Sequence, residues 1–467
     1  MKVIKTSFKG LLIIETDIHG DNRGWFAESY NKKIFADHGI DTDFVQDNHS
    51  YSGQKGILRG IHFQIHPMAQ TKMVRCTRGA IIDTVVDLRK GSDTYKQYYS
   101  IELSANNKKQ LYIPKGFGHA FLTITEDVEV QYKVDEYYSK EHDRSIKFND
   151  PEIGIDWGVE EPILSQKDLN APLLKDSDAN FSIKVLVTGV NGQLGYDVVK
   201  RLNLLQIDSI GVGRQDFDIT DRAQTEAYIT DCKPDVIVHC AAYTAVDKAE
   251  DEQEKCYAAN VDGTRNIVEI CKKIDAKMVY VSSDYVFDGE GTDEQKEDKP
   301  TAPVNYYGYS KEQGELVVKE ALDKYFIIRS SWIFGKNGNN FVRTMLKLGK
   351  TKDEIDVVND QIGAPTYTKD LAVLICDMLQ TTNYGTYNAV NEGYCSWYDF
   401  ALKIFQLARI NIGVNPISTS EYPTRARRPL NSKLSKDMLD KNGFNRLPHW
   451  EDALKRYLEE LNNQLGE

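Results

Sequence analysis

The stretch Ile183-Lys-Val-Leu-Val-Thr-Gly-Val-Asn-Gly-Gln-Leu-Gly195 reads as a buried strand, a tight glycine turn and the start of a helix. Its glycines, Gly189, Gly192 and Gly195, are spaced GxxGxxG. Glycine lets a backbone turn sharply and approach a pyrophosphate, and the helix N-terminus behind it offers amide donors and a favourable dipole. A dinucleotide-binding domain begins in this way. Here it begins after 182 residues of other sequence, long enough for a domain of its own. The chain therefore divides into a first domain over 1–174, a linker over 175–182 and a second domain over 183–467.

Outward from this stretch, the two sides follow different rules. On the C-terminal side, Asp235-Val-Ile-Val-His239 and Lys277-Met-Val-Tyr-Val-Ser282 are further buried runs with helical patterns between them. That alternation predicts an α/β domain, a Rossmann-type doubly wound parallel sheet covered on both faces. From about Gly335 the pattern is mixed, which suits a smaller substrate-binding subdomain. On the N-terminal side, runs such as Leu11–Ile14, Ile81–Asp87 and Val128–Val134 are β-branched or alternating, and turn residues separate them. Lys32 to His38 is one of few helical patterns there. This predicts an all-β sandwich or barrel, the jelly roll among them. The polar junction Leu169–Ser182 has no clear period and reads as a short tether.

With 41% hydrophobic and 27% charged residues, the chain has a globular composition. A net charge of -12 argues against nucleic acid or an anionic membrane as partner, though an anionic small ligand needs only a local basic pocket. No run of eighteen apolar residues exists to span a membrane, and Met1-Lys-Val-Ile-Lys-Thr-Ser lacks a signal peptide's apolar core. Seven scattered cysteines without a CxxC pair read as reduced thiols of a cytoplasmic protein.

The second domain's chemistry centres on Tyr307-Gly-Tyr-Ser-Lys311. Tyr307 and Lys311, four apart, share one helix face. An ammonium near a phenol favours the phenolate and lowers the phenol pKa, which makes Tyr307 a proton donor to a carbonyl being reduced. Ser283, in Ser282-Ser-Asp-Tyr-Val-Phe-Asp288, can hydrogen-bond the same carbonyl oxygen. After the second strand-like run, Gly211-Val-Gly-Arg-Gln-Asp-Phe-Asp218 offers Asp218 for an adenosine ribose and Arg214 for a 2′-phosphate, which tilts the cofactor from NADH toward NADPH.

In the first domain, His62 lies in Arg59-Gly-Ile-His-Phe-Gln64, between apolar neighbours. Arg59, Lys72 and Arg75 supply local positive charge, Pro114-Lys-Gly-Phe-Gly-His119 brings a second histidine in a tight turn, and Tyr132 and Tyr138 follow. A cupin-type metal site is a rival reading, since PxGxxH is part of that pattern. Its other part needs two histidines one residue apart and then a glutamate, whereas the chain has His62, His66 and Gln70. Aligned ligands are therefore missing and no metal is assigned.

These residues carry two resemblances. Residues 1–174 resemble the dTDP-4-dehydrorhamnose 3,5-epimerases, most specifically in Phe44-Val-Gln-Asp-Asn-His-Ser50 and Leu58-Arg-Gly-Ile-His-Phe-Gln64. The rest is similar to the extended short-chain dehydrogenase/reductases, and within them to the dTDP-4-dehydrorhamnose reductases. Ala241-Ala-Tyr-Thr-Ala-Val-Asp-Lys-Ala-Glu250 and Val358-Asn-Asp-Gln-Ile-Gly-Ala-Pro-Thr366 carry this.

The first resemblance implies a metal-free, cupin-like jelly roll, homodimeric through that domain. It implies His62 as base, oriented by Asp168, Tyr132 as acid, and Lys72 beside the enolate oxygen, with Arg59 and His119 bordering the site. It also implies a nucleotide held by Arg23, Glu28, Gln46, Asn48 and Lys167, with Tyr138 stacking on thymine. Asp143 stands where the family has a glutamate contacting substrate, and Arg144 beside it is a further departure. The second resemblance implies a Ser283–Tyr307–Lys311 triad, with Ser283 in place of the usual threonine, and sugar contacts at Asp284 and Trp332. Cofactor contacts would come from Gly189, Asn191, Gly192, Gln193, Leu194, Gly195, Arg214, Asp218, Ala241, Ala242 and Tyr243, besides Tyr307 and Lys311. Some relatives bind Mg²⁺ at a dimer contact through carboxylates. The expected glutamate is Asp197 here, so metal is left out.

Together these imply a bifunctional enzyme of dTDP-L-rhamnose synthesis that acts on a dTDP-sugar. Two other readings remain open: a related pair of enzymes giving a different deoxysugar, and a regulatory reductase-like subunit that binds a nucleotide without turnover.

Overall fold

The computed structural model describes residues 1–40, 42–205 and 207–465. It consists of two units, Met1–Ser182 and Ile183–Glu467.

The first unit is built on two antiparallel sheets. Six strands, in the order Lys2–Lys5, Leu12–Glu15, Gln110–Ile113, Lys72–Arg78, Val128–Val134 and Gln46–Ser52, form one. Five, in the order Asp143–Ser145, Leu58–Gln64, Phe117–Thr123, Ala80–Asp87 and Tyr98–Ser104, form the other. Alternate residues of each pack into one core: Val74, Leu111 and Val130 from the first, Ile81, Val85 and Phe121 from the second. Each such side chain contributes about 1.5–3 kcal/mol by leaving water. The helical pattern near residue 32 forms the helix Lys32–Asp37, capped by Asn31.

The expected tether is instead part of this unit. Phe181 is buried against Phe63 and His66, and its carbonyl accepts from the Lys90 amide. Asp178 pairs with Arg144, and Asn180 accepts from the His66 amide. Leu174 and Phe181 are buried in one apolar cluster, but residues so dispersed in a polar tract leave no periodicity.

The second unit holds a parallel sheet in the order Ser209–Val212, Val185–Thr188, Val236–His239, Lys277–Ser283, Tyr325–Ser330, Gly385–Asn388. The strands Val185–Thr188 and Val236–His239 inside it are buried on both faces, as their apolar runs require. One face packs on Gln193–Leu204 and Thr368–Leu379 through Val198, Leu202 and Ile375. The other packs on Gly263–Ile274 and Tyr306–Ala321 through Ile267, Cys271 and Val318. Strand order reverses between Val185–Thr188 and Val236–His239, so the glycine turn opens into the crevice at the switch point. A separate core of Phe334, Tyr367, Phe400, Trp450 and Tyr457 supports the C-terminal elements.

Candidate active sites

A bulge builds the first unit's site. Gly60 and Ile61 together oppose Ala120, so the register shifts between the pairs Arg59–Phe121 and His62–His119. Gly60 has φ +126°, and a Cβ there would lie 2.6 Å from that of Ala120. Residues three apart on a regular strand face opposite sides; the extra residue turns Arg59 and His62 to the same side. Leu58, Ile61 and Phe63 pack into a separate apolar cluster, while His62 stays half-buried. His119 falls within the strand Phe117–Thr123 rather than in the turn before it, directly across from His62.

The His62 Nε2 is 2.5 Å from Asp168 Oδ1. Asp168 sits in the short helix Gln166–Leu169, whose N-cap Ser165 donates to Oδ2 at 2.8 Å. Burial works against ionising Asp168, but these bonds together with the His62 charge hold its carboxyl below the usual range. From the six-stranded sheet come Lys72 and Tyr132, the Lys72 ammonium 6.0 Å from the Tyr132 ring centre. Burial pushes Lys72 down to about 8, against the pull of Asp143 and Asp83. Burial also raises the Tyr132 phenol, and Arg59 opposes this.

A second cluster adjoins these strands. Gln46 donates to Asn48 at 2.8 Å and accepts from the Tyr138 amide at 3.3 Å. The Tyr138 hydroxyl and the Lys167 ammonium both reach Asp143 Oδ2, at 3.3 and 2.6 Å. Four of the expected nucleotide residues, Gln46, Asn48, Tyr138 and Lys167, thus form one network with Asp143. Tyr138 lies beyond the strand that carries Tyr132, and its ring is exposed. Arg23 and Glu28 are not joined to the network: Arg23 binds Asp21 on the exposed hairpin His19–Phe26, and Glu28 faces Asn31.

In the second unit, Gly189 has φ +71°, and a Cβ there would lie 2.7 Å from the Ala241 amide nitrogen. At Gly195 a Cβ would lie 2.4 Å from the Gly189 carbonyl oxygen. Both positions require glycine, the first so that two strand ends can meet, the third so that the helix Gln193–Leu204 can begin against the turn. The Asn191 amide donates to Gln215 at 3.0 Å, which ties the turn to the segment after Val212. Arg214, exposed, follows the strand end closely, while Asp218 Oδ1 accepts from the Thr220 amide and hydroxyl.

Tyr307 and Lys311 lie on the helix Tyr306–Ala321, capped by Asn305. The expected depression of the Tyr307 phenol is reversed. Burial raises it and Asp284 adds to that, while the Ser283 hydroxyl bond works the other way. The Lys311 ammonium stands 4.1 Å from the Tyr280 ring centre, and burial pushes it down to about 7 against the pull of Glu315. Ser283 donates to Asp284 Oδ1 at 2.9 Å and Ser432 to Oδ2 at 2.6 Å. Burial nevertheless lifts Asp284 to about 6. Trp332 is held at φ +48° and stacks on Trp397 at 3.7 Å between ring centres.

Two unrelated arrangements therefore share one chain: a histidine–carboxylate pair with a tyrosine and lysine, and a glycine cradle near a Ser–Tyr–Lys group. The family model for dTDP-4-dehydrorhamnose 3,5-epimerase matches residues 5–176, and that for the RmlD substrate binding domain matches residues 183–463. A dTDP-4-dehydrorhamnose 3,5-epimerase of Shigella flexneri is 46% identical over 179 residues, 38% of this chain and 98% of that protein. The chain belongs to both families.

Its reductase unit is also similar to a dTDP-4-dehydrorhamnose reductase of Sinorhizobium fredii, 38% identical over 285 residues, 59% of this chain and 96% of that one. A solved dTDP-4-dehydrorhamnose reductase of Bacillus anthracis in complex with NADP is 45% identical, with a TM-score of 0.59 over 60% of this chain and 99% of its own.

Two residues of these units escaped the sequence reading. In the reductase unit, Asn260 is buried in the turn Ala258–Asp262 and bonds the Tyr243 amide, the Tyr243 carbonyl and the Ser310 hydroxyl. It thereby ties the Ala241–Tyr243 segment to the helix of Tyr307. In the epimerase unit, Asp83 is fully buried and accepts from His119 Nε2 at 2.9 Å. Neither sits in a motif; both are recognisable only by what they touch. Asp197 is buried and accepts from the Thr368 hydroxyl. Among the described residues no group of three His, Cys, Asp or Glu side chains is arranged to hold a metal. Among them, too, no helix is long and apolar enough to cross a membrane.

Proposed function

We propose that this is a bifunctional enzyme of dTDP-L-rhamnose synthesis. Its first unit epimerises dTDP-4-dehydro-6-deoxy-D-glucose at C3 and C5, and its second reduces the 4-keto product. The observation that carries this reading is the coexistence in one chain of the His62–Asp168 pair and the Ser283–Tyr307–Lys311 group beside a glycine cradle.

The 4-keto group acidifies the hydrogens at C3 and C5. Inversion removes a proton from one face and returns one to the other, so a base and an acid must come from different sides. His62 takes the proton, its ring oriented by Asp168. The charge moves to O4, which Lys72 and His119 receive, with Arg59 beside them. Tyr132, whose phenol burial keeps protonated, returns a proton from the opposite face. Gln46, Asn48, Tyr138 and Lys167 hold the nucleotide, with Tyr138 stacking on the base, and Asp143 contacts the substrate.

In the second unit, the amides of Asn191 to Gly195 and the close approach of Ala241, Ala242 and Tyr243 suit a dinucleotide. NADPH, when bound, supplies the hydride for C4. Tyr307 delivers the proton to O4, and its raised pKa keeps that proton on until charge develops there. Ser283 orients the carbonyl, Lys311 provides positive charge, and Asp284 and Trp332 contact the sugar. Arg214 at the strand end favours the 2′-phosphate of NADPH over NADH.

The two antiparallel sheets with a common core suit a cupin-like jelly roll. The switch-point crevice and helices on both faces suit a Rossmann-type doubly wound domain with a C-terminal sugar-binding subdomain. The epimerase unit forms a homodimer: the hairpin bearing Arg23 also exposes Trp25 and Phe26, 61% and 66% accessible, as a docking edge should. The protein works in the cytoplasm.

A coupled assay tests the whole reading. The 4-keto sugar nucleotide and NADPH are supplied, absorbance loss is followed, and the product is identified by NMR. Tyr307→Phe should abolish NADPH oxidation yet leave deuterium exchange at C3 and C5 intact. A different sugar product, or turnover unchanged by this substitution, would refute the assignment.

A further inference from the structure

Asp83 lies mid-strand in Ala80–Asp87, fully buried, on the face it shares with Ile81 and Val85 of the apolar core. Its Oδ2 accepts from His119 Nε2 at 2.9 Å. Its Oδ1 is buried and has no hydrogen-bond partner among the described residues. A carboxylate in such surroundings is strongly unfavourable unless cations face it. Besides His119, its field reaches Lys72 and the Cys76 thiol. Lys72 in turn is influenced by Asp143, Asp83 and Lys167, and its ammonium stands by the Tyr132 ring. His119 is the ladder partner of His62. Asp83 thus joins the two side chains read above as receiving the developing negative charge.

We propose that Asp83 is a positioning residue of the epimerisation site: its carboxylate sets the His119 ring through Nε2–H and, together with Asp143, adds negative charge around Lys72, so that both side chains can receive the enolate oxygen. This rests on the epimerase reading. A carboxylate accepts only, so a His119 ring bonded to it carries a proton on Nε2, and in the imidazolium form its Nδ1–H is then the donor left to the enolate oxygen. The same negative charge helps Lys72 remain an ammonium despite burial.

The test uses the full chain and solvent deuterium exchange at C3 and C5 of the 4-keto sugar nucleotide. In Asp83→Asn, kcat should fall about 10–100-fold with KM within about threefold, and the basic limb of the kcat profile should move to lower pH as Lys72 loses this negative charge. In a His119→Gln background the same change should cost far less, because the two residues act together. Wild-type kcat and an unshifted pH profile in a variant that still binds dTDP would overturn the proposal. If the variant no longer binds dTDP, ¹⁵N NMR of His119 in the wild-type protein decides: an Nε2–H ring supports it, and a bare Nε2 overturns it. Absence of exchange in the wild-type protein would instead refute the epimerase reading itself.

Discussion

The Nε2 of His62 and the Oδ1 of Asp168 lie 2.5 Å apart across 106 positions of chain, and Ser165 occupies the other carboxylate oxygen. Asp168 is therefore fixed from both sides and in turn fixes the ring of His62. Asp168→Asn keeps the shape but supplies an amide where the imidazole needs an acceptor with full charge. Exchange of C3 and C5 hydrogens with solvent should slow by about 10²–10⁴, since losing the carboxylate that orients a catalytic histidine costs up to about 10⁴. Reduction of separately prepared 4-keto-L-sugar should be unchanged. Proton NMR in deuterium oxide reads the first and NADPH absorbance the second. Retention of the exchange rate would remove Asp168 from the mechanism.

Lys311 gives a pH dependence of definite sign. Burial lowers its ammonium to about 7, so the charged form is present below that value and is lost as pH rises through it. If that charge assists proton delivery by Tyr307, the reduction rate should decline on the alkaline side. Lys311→Met should be slow and should lack this limb. Stability should move the opposite way. An unfolded lysine keeps its proton to its ordinary value near 10.5, so between about 7 and that value the unfolded state binds more protons and stability rises with pH. The cost of the buried charge is present in full below about 7. Lys311→Met should therefore raise the melting temperature most in acid, with the gain shrinking toward alkaline pH. A gain that grew with pH would contradict this electrostatic account.

Gly189 offers a steric test. An alanine there must hold a left-handed backbone, and its Cβ would meet the Ala241 amide nitrogen at 2.7 Å. The combined cost should be about 1–3 kcal/mol of stability in the reductase unit. Because the same atoms line the crevice, the dissociation constant for NADPH should rise as well. Nucleotide fluorescence titration and thermal melts separate the two effects. Unaltered nucleotide affinity would place the cofactor elsewhere.

The glycine stretch was legible because everything it needs is local: a buried strand, a turn and a helix start within thirteen residues. His62 was ambiguous for the opposite reason. Its neighbours Ile61 and Phe63 are core residues, and only the bulge at Gly60, a tertiary feature, turns it to the other side. Asp168 could be paired with it by resemblance alone, since no spacing rule connects positions so far apart. The tract 169–182 showed no period because its anchors are dispersed: Leu174 and Phe181 are buried, while Asp178 and Asn180 bond Arg144 and the His66 amide. Asp83 and Asn260 carried no sequence signal, because a buried polar residue is defined by its partners. The depression expected at Tyr307 failed because helix spacing says nothing of burial, which dominates that phenol.

On the proposed reading, Arg214 sets the cofactor preference. It follows the strand Ser209–Val212 by two residues and is exposed, whereas Asp218, the acidic alternative, is committed to Thr220. A guanidinium at that strand end can grip a 2′-phosphate with two parallel bonds, while a 2′-hydroxyl gains little from it. Arg214→Ala should thus raise KM for NADPH by about tenfold, the worth of one charge-assisted contact, with little change in KM for NADH or in kcat with either. Lysine at this position should restore charge but not the fork, and so recover only part of the loss. Steady-state kinetics with both nucleotides on the three proteins gives the comparison. Equal losses for NADPH and NADH would mean that Arg214 supports the loop rather than reading the phosphate, and the preference would have to come from the Asn191–Gln215 side of the turn.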